Sequence, residues 1–349
     1  MHLHINPHDE IPVYRQIERQ IALAVAQNSL RPGEVLLPED QLAAQLVVSP
    51  LAVHKAYERL RSSGLCRGSA DGGYQITSQA LDSDRNDNLA LALLERELLA
   101  QEIQSAREVQ KRLLPPSEVV GDSWHVSARS FPAGVLAGDF YDVVETGDGR
   151  IGVTVADVAG KGLAAGLIMA VVKSLLPDIT ARRSSAAALQ ELDQRLGPLL
   201  SRREFVALIH ARFDPTDGAL ELVNAGLPDP YLVKIDGSMQ TLSVEGARLP
   251  LGTGLDVPYS LLRTRLDVGD RLLLITDGIP EATDRHGEPI GYRGVSRILQ
   301  AALQTEQRHP TKDRVPDHLL DFLFDRASAL SGSILEDDWT ALLLQHRNS

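Results

Sequence analysis

Apolar runs of strand length that begin or end in aspartate recur along this chain, far apart in sequence. IGVTVA runs into Asp157, RLLLIT runs into Asp277-Gly278, and Glu336-Asp337-Asp338 leads straight into WTALLL. A further group, Ala137-Gly138-Asp139-Phe140-Tyr141-Asp142, places Asp139 beside a glycine that permits a tight backbone. Buried together, several carboxylates are costly unless cations neutralise them. Mg²⁺ and Mn²⁺, hard ions that take oxygen ligands and keep several waters, meet that need. A lone Asp-Gly is more often a turn, and Asp148-Gly149, Asp217-Gly218 and Asp236-Gly237 are read that way.

The chain has 349 residues, enough for roughly two domains, and with 43% hydrophobic and 23% charged residues it can form real cores. Its net charge of −12 opposes coating of a nucleic acid or an anionic membrane by the whole molecule. A single cysteine, Cys66, excludes a disulfide framework and a thiolate zinc cluster and fits a reducing compartment. The opening MHLHINPHDE has no apolar signal region, and no run is expected to span a bilayer. A cytoplasmic protein with no membrane partner is expected.

Residues 82–88, DSDRNDN, are wholly polar and separate two patterned regions. The expected domains are therefore residues 1–80, a linker helix over 81–116, and residues 117–349. In the linker, Leu91, Leu94, Leu98, Leu99, Ile103, Ala106, Gln110 and Leu113 follow helical spacing, and Pro115-Pro116 ends the helix. Leucines on adjoining stripes point to a dimeric coiled coil, hence a homodimer joined through this helix. Beyond it, strands are expected at Gly152 to Ala156, Phe205 to Phe213, Ala219 to Val223, Tyr231 to Ile235, Arg271 to Ile275 and Trp339 to Leu344. Helices are expected at Ala164 to Leu176, Ser185 to Leu200, Tyr292 to Ala302 and Asp317 to Leu330. This order suggests an α+β sandwich with helices on the outer faces.

In the first domain, Tyr14, Ile17, Ile21 and Val25 share one helical face, a short helix follows from Glu39 to Leu46, and Ser49-Pro50 caps a third helix running to Arg61. Leu65 to Ile76, with Gly72-Gly73, fits a β-hairpin wing. This arrangement, with the string LRPGEVLLPEDQLAAQLVVSPLAVHKAYERLRSSGL, resembles the GntR family of winged-helix regulators, which implies DNA as a partner. The cations are sparse for that role: His54 and Lys55 on the third helix, Arg67 on the wing, Asp71 where relatives carry a base, and a net charge of −1 over residues 1–80. A winged helix kept as a dimerising or sensing unit is the competing reading. His2, His4 and His8 could approach a metal, but no fourth ligand accompanies them, and Cys66 reads as a small core residue.

The ordered set AGDFYD, ADVAGKG, TDGIPEA and EDDWT resembles the PPM family of metal-dependent protein phosphatases, in its RsbU-like and SpoIIE-like branch, over residues 102–349. Supporting strings are AREVQKRLLPP, LPLGTG and GDRLLLITDGIPEATDRHGEPIGYRG. The resemblance implies a PPM-type α/β sandwich with two Mn²⁺ or Mg²⁺ ions that activate a water for attack on phosphoserine or phosphothreonine. Asp157 would bridge the ions with the carbonyl of Val158. Asp139 and Asp277 would complete the set with Asp337, or with Asp338 in its place, and Asp142 would only support the loop. Ala137, Lys161 and Leu227 depart from the family's commonest residues without removing a ligand. The implied substrate is a phosphorylated bacterial regulator, often a STAS-domain anti-sigma-factor antagonist, with the winged helix regulating the enzyme. The alternative is a transcription regulator whose phosphatase-like domain is its sensor.

Overall fold

A computed structural model describes residues 3, 5–6, 11–26, 29–69, 73–77, 83–255, 257–308, 317–331 and 335–348, with side chains except at 83–95 and 317. His2, His4, His8, Asp71 and Gly72 lie outside the described residues, as do the side chains of Leu91 and Leu94. Two compact units form, Met1–Glu102 and Ile103–Ser349.

The first unit holds helices α1 (Val13–Ala26), α2 (Glu39–Leu46) and α3 (Pro50–Ser62) and an antiparallel pair of short strands, β1 (Cys66–Gly68) and β2 (Tyr74–Ile76). Ser49 caps α3 by accepting a hydrogen bond from the Ala52 amide at 3.3 Å, and Pro50 fills the first helical position, where no amide hydrogen is needed. Ile17, Ile21, Leu42, Val53, Tyr57, Leu60 and Ile76 form its core, and Cys66 is buried among them. Helix α4 (Ser83–Leu113) lies within the residues 81–116 expected for the linker, and the division between the units falls within it.

The second unit stacks two sheets between two layers of helix. Strands β3 (Glu118–Val120), β4 (Trp124–Phe131), β9 (Tyr231–Val233), β10 (Met239–Thr241), β12 (Arg271–Ile275) and β13 (Trp339–His346) form one sheet, ordered β10-β9-β12-β13-β4-β3. Strands β5 (Phe140–Glu145), β6 (Ile151–Val158), β7 (Val206–Phe213), β8 (Ala219–Ala225) and β11 (Leu262–Arg265) form the other, ordered β11-β8-β7-β6-β5. Every paired strand is antiparallel to its neighbour.

The near-continuous apolar runs reflect burial on both faces. In β6, Ile151, Val153 and Val155 face the opposite sheet, while Ala156 and Val158 pack with helices α5 (Leu163–Arg182) and α6 (Ser185–Leu196). In β12, Leu272 and Leu274 take the inner face, while Leu273 and Ile275 pack with α7 (Gly278–Glu281), α8 (Gly291–Arg308) and α9 (Asp317–Ser331).

Several expectations need correction. The helix expected to stop at Leu176 continues through Pro177 to Arg182, and α6 ends at Leu196, four residues short of the expected end. Helix α5 also has the length and apolarity of a bilayer span by composition, with a mean hydropathy of 1.6 over its best window. Its buried stripe of Ala165, Met169, Val172, Leu176 and Ile179 nevertheless belongs to the core, as in the interior helix of a packed domain.

Candidate active site

Strand register carries the aspartates to one end of the sandwich. Phe140 pairs with Ala156, which sets Asp139 and Asp157 side by side at the end of β5 and β6. Ile275 pairs with Ala341, and the Thr276 amide donates to the Thr340 carbonyl at 2.9 Å, which brings Asp277 to the Asp337-Asp338 segment. A hydrogen bond ties the two sheets here: the Thr276 hydroxyl donates to the Asp139 carboxylate at 2.7 Å and accepts from the Thr340 amide at 3.0 Å.

Close approach of backbone makes the site compact. A methyl group at Gly278 would lie 2.0 Å from the Asp338 carbonyl oxygen, so only glycine fits. A methyl group at Gly138 would lie 2.8 Å from the Val158 carbonyl oxygen and 3.7 Å from an Asp157 carboxylate oxygen. Those two oxygens therefore face the same peptide.

Burial and mutual repulsion dominate the electrostatics. Burial first, and the neighbouring Asp157 next, push the Asp139 carboxyl well above the usual carboxylate range. Burial also raises Asp157, and Asp277, Asp337 and Asp338 add to it. Asp277 is raised by burial and then by Asp337. The expected residues Asp139, Asp157, Asp277, Asp337 and Asp338 thus sit within one another's field.

The two adjacent aspartates differ in what they hold. One Asp338 carboxylate oxygen accepts from the Ala133 amide at 2.7 Å, and the other accepts from the Gly138 amide at 2.7 Å. Asp337 is instead more open and lies 3.6 Å from the Lys161 ammonium, which also donates to the Glu336 carbonyl. Asp142 turns away and forms a buried ion pair with Lys173 of α5. Among the described residues no group of three or more carboxylate, histidine or cysteine side chains is drawn close enough together to hold a metal ion. The carboxylate and carbonyl oxygens gathered here are nevertheless the donor type that Mg²⁺ and Mn²⁺ take, with water completing their coordination.

One contact escaped the sequence reading, where Gln110 counted only as a position on a helical stripe. Its side-chain amide donates to the Ala137 carbonyl at 2.8 Å and accepts from the Ala137 amide at 3.0 Å, two residues from Asp139. A polar residue on an otherwise apolar stripe was the one available signal.

Comparison with known proteins agrees with this geometry. The profile of the family described as Stage II sporulation protein E (SpoIIE) matches residues 147–347. The phosphoserine phosphatase RsbU of Bacillus subtilis (strain 168) is 24% identical over 253 residues, which cover 71% of each chain. The HTH-type transcriptional repressor YtrA of the same organism is 28% identical over 78 residues, 22% of this chain and 60% of that protein. Among solved structures, the SiaA-PP2C domain of Pseudomonas aeruginosa aligns with a TM-score of 0.60 at 23% identity, over 73% of this chain and 99% of that one. The RsbU and RsbW domains of a Mycobacterium tuberculosis protein align with a TM-score of 0.57 at 25% identity, over 66% of this chain and 62% of that one. Less than two thirds of that longer chain is thus represented here. With a family match over more than half its length, the chain belongs to the SpoIIE family and is a protein serine/threonine phosphatase, with a fold like that of the SiaA-PP2C domain.

Proposed function

We propose that this chain hydrolyses phosphoserine or phosphothreonine on a bacterial regulatory protein, using two Mn²⁺ or Mg²⁺ ions held by Asp139, Asp157, Asp277 and Asp337 and the carbonyl of Val158. The observation that carries this reading is the meeting of carboxylates from four separate segments at one end of the sandwich, where burial raises Asp139, Asp157 and Asp277 together. Such groups remain ionised at neutral pH only beside cations, and their oxygens are the donors that these hard ions take.

When bound, the ions supply the Lewis acidity that activates a water for in-line attack on phosphorus and offsets charge on the phosphoryl oxygens. The chain's own residues orient and neutralise. Asp338, with both carboxylate oxygens engaged by backbone amides, acts as a positioning residue that fixes the loop carrying Asp139, which leaves Asp337 as the ligand. Thr276 orients the Asp139 carboxylate. Lys161 puts an exposed ammonium beside Asp337, where it can meet a phosphoryl oxygen.

We assign the phosphorylated partner to the class that the family resemblance implies, a STAS-domain anti-sigma-factor antagonist. The first unit is a GntR-like winged helix that regulates the phosphatase, and α4 pairs two copies in the cytoplasm. The YtrA match over 78 residues supports this view of the first unit. It also favours the second reading, a DNA-binding regulator with a phosphatase-like sensor. Against that reading, the basic side chains of α3 are engaged: Arg59 with Glu18, Arg61 with Glu58, His54 with Glu39, and Lys55 over the Tyr14 ring. Phosphate release from a phosphoprotein should require Mn²⁺ or Mg²⁺, and Asp157→Asn or Asp277→Asn should abolish it and weaken Mn²⁺ binding in calorimetry while the fold is kept. Turnover undiminished by a strong chelator would overturn the reading.

A further inference from the structure

Beside the carboxylate cluster the second unit carries a groove of about 680 Å³, walled by the loop between β8 and β9 on one side and by α8 on the other. Helix α8 is amphipathic. Val295, Ile298, Leu299, Ala302 and Leu303 are buried, so Arg293, Arg297 and Gln300 fall on the opposite face and line the groove. Arg248 lines it too, paired with Asp229. Among the described residues neither Arg293 nor Arg297 has a carboxylate partner, although the chain carries an excess of 12 acidic residues. Three arginines against one aspartate make this groove locally cationic. It also lies near the carboxylate cluster, because α7, which directly follows Asp277, packs against α8, with Ile279 buried in one cluster with Val295 and Ile298.

We propose that this groove holds an acidic segment of the phosphoprotein substrate next to its phosphorylated residue, with Arg293 and Arg297 as the contacts that select it. The inference rests on the phosphatase reading and adds to it the character of the substrate's flanking sequence. A phosphorylated side chain that reaches the carboxylate cluster must lay its neighbouring residues over the adjoining surface. There the two unpaired guanidinium groups attract carboxylates, and their fork geometry favours bidentate contact. Charge complementarity also selects against basic segments, which Arg293, Arg297 and Arg248 repel.

The test uses the full chain, two fluorescein-labelled phosphoserine peptides of equal length flanked by glutamates or by alanines, and Arg293→Glu/Arg297→Glu. The wild type should bind the acidic peptide more tightly, with a preference that shrinks as salt rises. The double variant should raise KM and Kd for the acidic peptide by about five- to tenfold and leave those for the alanine peptide nearly unchanged. Equal wild-type affinity for the two peptides, or an unchanged acidic-peptide Kd in a variant that melts like the wild type, would overturn the proposal. Anisotropy reads binding without turnover. Failure of the wild type to release phosphate from p-nitrophenyl phosphate with Mn²⁺ would count against the phosphatase reading alone, and peptide binding would still decide the groove.

Discussion

His210 lies on β7, fully enclosed, with its Nδ1 2.9 Å from the Thr154 hydroxyl. A methyl group at Gly152 on the neighbouring strand would come within 3.1 Å of the ring, so that glycine makes the space for the imidazole. Burial lowers the histidine to about 4 from its usual 6.5, with a smaller contribution from Arg212. The sign follows from proton counting: between those values the unfolded chain binds the proton and the folded chain does not, so stability falls as pH drops from 6.5 towards 4. The loss from this one group is about 3 kcal/mol, taking 1.36 kcal/mol per pH unit. Urea unfolding of the wild type and of His210→Gln across that range should show a flatter pH profile for the variant. Parallel profiles would mean that this imidazole does not titrate as its surroundings require. The same contrast between sequence and environment separates Asp337 from Asp338, identical neighbours of which only Asp338 has both oxygens taken by amides of a distant loop, while one Asp337 oxygen accepts from the Asp338 amide at 2.9 Å.

At the scale of elements, α5 and β5 are joined by a buried ion pair as well as by apolar packing of Phe140 with Ala165 and Met169. Lys173 and Asp142 expose 11% and 4% of their side chains, and one Asp142 oxygen has no hydrogen-bond partner among the described residues. Removing one member of such a pair strands the other charge, at a cost of about 3–5 kcal/mol, whereas replacing both by apolar groups is often neutral. Lys173→Met should therefore lower the unfolding free energy by roughly that amount, and adding Asp142→Leu should recover most of it. A double-mutant cycle in denaturant measures both, and additive losses would show that the two side chains act separately. The pair matters for catalysis because α5 follows the Asp157 loop and β5 follows Asp139, so it holds together the elements on which two proposed ligands depend.

For the whole molecule, the proposed dimer makes a direct prediction. In the single chain Leu98, Leu99 and Val109 of α4 are about half exposed, which is unfavourable for so many large apolar groups on one helix. Light scattering should find a dimer at micromolar concentration, and Leu98→Glu/Ile103→Glu should yield monomers with altered phosphatase rate. A monomeric wild type would exclude the seam. Much of this architecture can be read from the sequence by itself, because its signals are local. The linker helix, α2, the capped start of α3, and the strands around β6, β7, β8, β12 and β13 each follow from spacing or capping within a short window. The aspartates stood out for the same reason, each closing or opening an apolar run. Other strands stayed hidden. β4 reads WHVSARSF, whose His125, Ser127 and Arg129 look like loop residues until Glu118 on the next strand is seen to accept hydrogen bonds from all three. β10 and β11 are short edge strands with little pattern to detect. What only the tertiary structure decided is which carboxylate does what: Asp139 joins the cluster while Asp142 meets Lys173, and Asp337 stays available while Asp338 ties a loop. It also set Gln110 against the Ala137 peptide and put Arg293 and Arg297 along the groove, with no carboxylate partner among the described residues. These outcomes depend on partners tens to hundreds of residues distant, and chain entropy leaves no trace of such pairings in local sequence until the sheets close on one another.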